Sequence, residues 1–173
     1  MEGIMFKRSW SEGMTLIEIA VVVSIIGIAS ALAIPSVVGL MPRIQLGSQV
    51  SILNSHLQRI RLKSINLNRN VKMTFNLASY PAPDNFRPMI YDPNTGYFEW
   101  DEEIQLEEID SQVDIVQMYT SSSGTKTTGT LTIRFYPDGT ADSAWINFTN
   151  TQGFKRQITV SSTTGIIKIH DTW

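Results

Sequence analysis

The chain has no cysteine and only two histidines among its 173 residues. The lack of cysteine excludes a disulfide framework, a thiol nucleophile and a cysteine-ligated metal site. His56 and His170 have no second ligand at metal-binding spacing, so we interpret both as polar surface or boundary residues. A glycine-rich phosphate loop, a nucleophile elbow and a paired-histidine zinc motif are also missing. The sequence therefore predicts no catalytic residue, no metal and no cofactor, and favours a protein that is not an enzyme.

Acidic side chains are missing from residues 19–83, which carry six basic ones, whereas residues 84–119 carry ten acids and one base. The acids are densest in residues 101–110, DEEIQLEEID. The simplest interpretation is two solvated faces, which can meet within one molecule. Pairing of these opposite charges between subunits of an assembly is the alternative.

Glu18 is the only ionisable side chain in the apolar run of residues 14–34, MTLIEIAVVVSIIGIASALAI. At about 1.5 Å per residue, a helix of this length crosses the roughly 30 Å hydrocarbon core of a bilayer. A carboxylate inside such a helix costs roughly 2.5–3.5 kcal/mol, so an acid there is by default a candidate functional residue. The basic pair Lys7 and Arg8 lies upstream, which favours a cytoplasmic N-terminus and an exported C-terminal domain.

Residues 11–35, SEGMTLIEIAVVVSIIGIASALAIP, closely resemble the N-terminus of type IV prepilins and of type II secretion pseudopilins. In that family a prepilin peptidase cleaves after the glycine and methylates the new N-terminus, and the mature helix keeps a glutamate at its fifth position. The resemblance assigns cleavage and methylation to Gly13 and Met14, and assembly to Glu18. Met14 departs from the family pattern, because phenylalanine is usual at that position.

The resemblance also implies how Glu18 acts. A carboxylate held among apolar helices needs a partner that offsets its desolvation. In pilin-like filaments that partner is the positive N-terminal amine, of the neighbouring subunit or of the same one, and cleavage after Gly13 creates this amine at Met14. Gly27 and Pro35 fall where pilins carry helix-loosening residues, so a helix kink is expected there.

Beyond the apolar run, hydrophobic side chains recur at helical spacing and lie on one stripe, comprising Leu46, Val50, Leu53, Leu57 and Ile60. After residue 70 the period changes to two, which predicts strands at 71–77, 130–136, 145–148, 154–160 and 166–170. Residues 92–97, DPNTGY, carry a turn signal, and residues 121–129, SSSGTKTTG, are predicted as a polar loop, but residues 78–125 match no family pattern.

The predicted fold is therefore α+β, with a long N-terminal transmembrane and amphipathic helix packed on a C-terminal antiparallel β-domain. The expected divisions are a cleaved leader at 1–13, a helix at 14–69 that is membrane-embedded in its first half, and a periplasmic β-rich globular domain at 70–173.

The C-terminal part is similar to the H-type minor pseudopilins of type II secretion and to FimT-like minor pilins, which share a strand–PxG–strand–strand–TG–strand order. The matching positions are Pro137, Gly139, Thr164 and Gly165. This resemblance implies a pilin-like fold in which one helix packs on two small antiparallel sheets. It also implies a structural subunit at or near a filament tip that helps to prime assembly and protein export. Its partners would be other pseudopilins or pilins and the prepilin peptidase.

The implied location is the bacterial inner membrane, crossed once, before the protein joins a periplasmic or extracellular filament. The alternative function is a minor type IV pilin of a pilus or DNA-uptake machine, which would bind DNA or another surface ligand. Its candidate contacts are five clustered bases, Arg59, Arg61, Lys63, Arg69 and Lys72. The net charge of −2 and a C-terminus without a basic run disfavour nucleic acid and favour the secretion role.

Overall fold

The computed structural model describes residues 14–78 and 82–172, with the side chains of residues 32–38 left outside the description. The predicted leader with Gly13, and the side chain of Pro35, therefore lie outside the described residues. The chain divides into two compact units between Leu40 and Met41.

A single helix, α1 (Leu16–Leu67), begins the described part of the chain, and ten strands follow it. The strands are β1 (Val71–Leu77), β2 (Asn85–Asp92), β3 (Tyr97–Trp100), β4 (Glu107–Glu108), β5 (Val113–Thr120), β6 (Gly124–Lys126), β7 (Gly129–Phe135), β8 (Ala144–Asn150), β9 (Lys155–Val160) and β10 (Ile167–His170).

Helix α1 ends in a Schellman motif. Asn68 takes the left-handed conformation with φ of 50°. Its N–H donates to the carbonyl oxygen of Ile65, and the N–H of Arg69 donates to that of Ser64. These two bonds satisfy carbonyl groups that the last turn would otherwise leave unpaired, and they turn the chain into β1.

The strands form two antiparallel sheets. In the first sheet the order is β3-β2-β1-β7, with β4 also paired to β2; in the second it is β10-β9-β8-β5-β6. The strand predicted at 71–77 is confirmed as β1, and the other four predicted strands match β7 to β10 within two residues at each end. An α+β fold with two small antiparallel sheets is thus confirmed.

The prediction of a polar loop at 121–129 is wrong. Residues 124–126 form β6, which pairs with the end of β5 across a tight turn, and Gly129 already begins β7. Gly124 has a φ of +73°, which the turn needs and which glycine adopts without a steric cost. Because the main chain makes the ladder bonds, the polar side chains do not prevent pairing.

Segment 78–125, which matches no family pattern, contains four complete strands, β2 to β5, and the first two residues of β6. Strand β2 carries Pro88 in its middle, and a proline within a run argues against a strand because it donates no ladder bond. The short β4 consists of two glutamates. These elements are held by pairing with neighbouring strands, so their own composition gives little sign of them.

One hydrophobic core joins the helix to both sheets. The predicted stripe is its helical face, and each of its five residues is at most 1% exposed. The same cluster contains inward-facing residues of both sheets, among them Met73, Phe75, Ile133, Phe135, Met118 and Ile146. Ser64 continues the stripe without exposure to solvent, and its hydroxyl donates to the carbonyl oxygens of Arg61 and Tyr136.

Within the described part of the chain, no helix is both long and apolar enough to cross a membrane. The predicted span at 14–34 extends into residues 32–38, whose side chains lie outside the description. Helix α1 is assigned without interruption through Gly27 and Pro35, and the kink expected at these positions stays a prediction.

Candidate functional site

Glu18 closes a capping box at the start of α1. Its Oε2 accepts hydrogen bonds from the N–H of Thr15 at 2.8 Å and from the Thr15 hydroxyl at 2.9 Å. In return, the N–H of Glu18 donates to the Thr15 hydroxyl oxygen at 3.3 Å. This reciprocal arrangement satisfies N–H groups of the first turn that have no helical partner. The carboxylate therefore points back toward the beginning of the chain.

The capping role of Thr15 was missed from the sequence, although the T-x-x-E signal was present in residues 15–18. Met14, the residue just before Thr15, is 68% exposed. The structure thus brings Glu18 within hydrogen-bond distance of the residue that follows Met14. Gly13, the predicted cleavage site, lies outside the described residues.

The first turns of α1 around Glu18 are apolar on every side. Large hydrophobic side chains in this stretch are between 43% and 86% exposed, namely Leu16, Ile17, Ile19, Val21, Val22, Val23, Ile25, Ile26 and Ile28. A helix that is hydrophobic all round is stable in apolar surroundings, such as a lipid bilayer or the interior of an assembly. Gly27 lies among these residues, and a Cβ added there would meet no atom within 4 Å.

The basic face of α1 meets the acidic segment within one molecule. Lys63 Nζ donates to Asp101 Oδ2 at 2.8 Å and to Glu103 Oε2 at 2.7 Å. Asp101 is buried, with 2% of its side chain exposed. Two turns earlier in the helix, His56 Nε2 lies 3.4 Å from Glu107 Oε1. The expected meeting of the two faces within one chain is confirmed for these residues, but the expectation that both faces are solvated is wrong for Asp101, because the contact with Lys63 buries it.

The ionic contacts raise the pKa of Lys63. Burial lowers the pKa of Lys63, but its hydrogen bonds to Asp101 and Glu103 and their negative charges outweigh this effect. The pKa of Lys63 therefore lies above its ordinary value. The pair fastens the segment after β3 to the helix.

Arg61 is a second point where the helix holds a distant loop. Its Nη2 donates to the carbonyl oxygen of Thr164 at 2.8 Å. Gly165 packs so closely that a Cβ there would lie 2.8 Å from Arg61 Nε, and a Cβ at Gly139 would lie 3.7 Å from Arg61 Nη2. Three of the four positions that carry the C-terminal resemblance thus surround one arginine, a grouping that the sequence did not reveal.

The five bases considered for nucleic acid do not act as one free cluster. Arg61 and Lys63 make the contacts described above. Lys72 lies over the ring of Phe98, 4.3 Å from its centre. Burial, together with the positive charge of Arg134, lowers the pKa of Lys72. Arg59 Nη2 also lies 3.9 Å from Glu103 Oε2, so contacts inside the chain engage four of the five side chains.

Both histidines make contacts within the chain, one with an aromatic ring and one with a hydroxyl group. The ring of His56 packs edge-on against Phe86 with 5.5 Å between centres, and His170 Nε2 lies 3.0 Å from the Thr159 hydroxyl. Among the residues that the structure describes, no three potential metal ligands come together.

Comparisons with protein-family models, curated proteins and solved structures give no significant match. The functional interpretation therefore depends on the residues and contacts described above.

Proposed function

We propose that this chain is a minor pseudopilin, a structural subunit at or near the tip of a type II secretion pseudopilus. There it would help to prime filament assembly and so support protein export. The observation that carries the proposal is the Glu18 carboxylate, which turns back to Thr15 where the first turns of the helix are otherwise apolar.

The position of this carboxylate explains why processing and assembly would be coupled. Cleavage after Gly13 places a positive amine on Met14, next to the residue that Glu18 already contacts. An acid in apolar surroundings gains most from a charged partner. That partner is the N-terminal amine, either of a neighbouring subunit or of the same chain. An uncleaved leader supplies no amine at this depth.

The same helix would hold the protein in the inner membrane before assembly. The span is the apolar run at 14–34, and Lys7 and Arg8 favour a cytoplasmic leader. The β-rich unit then lies in the periplasm, and the protein later joins a periplasmic or extracellular filament. Other pseudopilins and the prepilin peptidase are the proposed partners.

A minor type IV pilin of a pilus or DNA-uptake machine is the second candidate. It shares the leader and the helix with pseudopilins, so the features that support the first proposal support this one as well. Against a DNA-binding form of it, Arg61, Lys63 and Lys72 make contacts inside the chain. The net charge of −2 also opposes binding to phosphates.

The first experiment is the intact mass of the full chain expressed with and without a prepilin peptidase. We expect the peptidase to remove 13 residues from the 173, leaving a species of 160 that begins at Met14. Gly13→Leu is the control and should keep its full mass, because it replaces the glycine after which the family's peptidase cuts. A chain that stays intact with the peptidase, or that is cut after the apolar run, contradicts the proposal.

Partner capture then separates the two candidates. The processed chain is cross-linked in cells that express both secretion pseudopilins and type IV pilins, and the attached subunits are identified by mass spectrometry. Pseudopilins as the main partners support the secretion role, whereas pilins support the alternative. A gel shift of the full chain in detergent at low salt tests nucleic acid separately.

A further inference from the structure

A groove of about 350 Å³ opens in the second unit, between the early part of that unit's helix and the turn that joins β8 to β9. Its charged lining consists of Arg43, Lys155, Arg156 and Asp171, and Phe154 adds an aromatic wall. The volume is at the lower end of the range for small-molecule sites. Three cations and one acid give the groove a net positive character.

The buried side-chain amide of Asn150 connects the two sides of this groove. Asn150 is 6% exposed, and its Nδ2 donates to the carbonyl oxygen of Pro42 at 2.8 Å. Its Oδ1 accepts hydrogen bonds from the N–H of Phe154 at 2.9 Å and from that of Gln152 at 3.1 Å. One side chain therefore fixes the residue before Arg43 and the residue before Lys155. The cations come from distant parts of the sequence but share one rigid support.

The two arginines are held at defined places on the walls. The Arg43 guanidinium lies 6.0 Å from the centre of the Phe154 ring. Arg156 lies against the helix at Gly47, where a Cβ would come within 3.4 Å of Nη1. Its Nη2 is 3.2 Å from Asp171 Oδ1, whose side chain is 80% exposed and so lies largely in water. A surface ion pair of this kind is weak and leaves other guanidinium donors for a ligand.

We propose that this groove binds the phosphate group of an anionic phospholipid at the outer face of the inner membrane. The inference rests on the proposed function, because it requires residues 14–34 to span the bilayer. Arg43 then follows the end of the span by nine residues, on the exported side. At about 1.5 Å per helical residue, this places Arg43 within roughly 14 Å of the end of the span, which is within reach of lipid headgroups.

The chemistry of the groove fits a lipid headgroup better than it fits an acidic protein surface. Arginine forks match the oxygens of a phosphate, and basic side chains near an anionic bilayer add to membrane affinity. Phe154 is 38% exposed, and its apolar ring offers a surface on which the acyl part of a lipid can pack. The groove would thereby hold the β-rich unit against the membrane until the subunit leaves for the filament.

The test uses the full chain, purified in detergent and exposed to phosphatidylglycerol or phosphatidylcholine, with bound lipid counted by native mass spectrometry. We expect a preference for phosphatidylglycerol that falls roughly tenfold in the double variant Arg43→Gln/Lys155→Gln. The matched control is Lys126→Gln/Lys168→Gln, which removes the same charge from exposed positions elsewhere. It should keep the preference.

Two further measurements separate the possible failures. Carbonate extraction of membranes shows whether each variant is inserted, and a chain that is extracted contradicts the proposed function itself. If the chain is inserted but shows no preference for phosphatidylglycerol, the lipid site alone is overturned. The same holds if the groove variant and the control variant show equal preferences. Inorganic phosphate added in competition distinguishes the source of the anion. Displacement of the lipid at millimolar phosphate would identify a free-phosphate site and overturn the lipid assignment.

Discussion

Arg61 on helix α1 donates a hydrogen bond of 2.8 Å to the carbonyl oxygen of Thr164, a residue 103 positions farther along the chain. The bond joins the helix to the turn between β9 and β10. The turn between β7 and β8 meets the same guanidinium group through Gly139. Two turns that carry the resemblance to minor pseudopilins are thus fastened by one side chain.

Gly165→Ala is expected to destabilise the β-rich unit far more than Gly153→Ala. Both glycines have positive φ, so each alanine incurs roughly 1–2 kcal/mol of backbone strain. At Gly165 the new Cβ would also clash with the carbonyl oxygen of Gly139, whereas at Gly153 it meets nothing within 4 Å. Overpacking adds roughly 1–3 kcal/mol at the first position. Denaturant unfolding in detergent, followed by tryptophan fluorescence, measures the difference; equal losses would contradict the contact.

Lys63→Met should cost roughly 2–4 kcal/mol of folding free energy. The substitution keeps much of the apolar stem but leaves the buried Asp101 carboxylate without its cation, and an unpaired buried charge is costly. Lys168→Met, at an exposed position of β10, is the control and should change stability by less than about 0.5 kcal/mol. If the two variants unfold alike, Lys63 does not hold the acidic segment.

Because of the contact between Lys63 and Asp101, we expect the folded chain to lose stability in strong alkali. Because the pKa of Lys63 is raised in the folded chain, its contribution is fully present below the ordinary value of 10.5 and is lost as pH rises through the higher folded value. The stability difference between the natural chain and Lys63→Met should therefore shrink above pH 10.5 and stay constant between pH 7 and 9. Urea titrations of both proteins across this range measure it. A difference that grows with alkali would contradict the assignment.

The buried carboxyl group of Asp84 should make the folding stability depend on pH in the acidic range. Burial raises the pKa of this carboxyl, and hydrogen bonds from the N–H groups of Ile115 and Ala78 offset only part of the effect. Its stabilising contribution is present below the ordinary value of 3.8 and is lost as pH rises through the raised value. The stability of the natural chain relative to Asp84→Asn should therefore fall with rising pH in this window and then level off. A relative stability that rises with pH in urea titrations would refute this.

Glu18→Gln and Thr15→Ala separate helix capping from charge pairing. Glutamine can replace glutamate in a capping box, so Glu18→Gln should keep the helix start while removing the charge. Thr15→Ala removes the cap, at a cost of about 1 kcal/mol, and keeps the charge. We expect the first variant to enter the membrane but to co-purify poorly with partner subunits, and the second to co-purify nearly as well as the natural chain. If Glu18→Gln co-purifies with partner subunits better than Thr15→Ala does, Glu18 has a purely structural role.

Much of the local structure was readable from the sequence because its signals act over a few residues. The stripe from Leu46 to Ile60 repeats every three or four positions, and β1 alternates between buried and more exposed side chains, so each pattern identifies a face. The capping box at Thr15 and Glu18 is equally local and could have been recognised. Strand β2 could not, because Pro88 interrupts its pattern and the strand is held by β1 and β3 on either side.

The sequence by itself determined the apolar N-terminal run with its single acid, the helical stripe, most of the later strands and the uneven spread of charge. Each of these depends on residue types at short spacing. Only the tertiary structure decided the strand order, the partners of Lys63 and Arg61, and the grouping of Arg43 with Lys155 and Arg156. Those contacts join residues 38 to more than 100 positions apart. They form only when the whole core closes around them, and no local pattern encodes which of many possible pairs will meet.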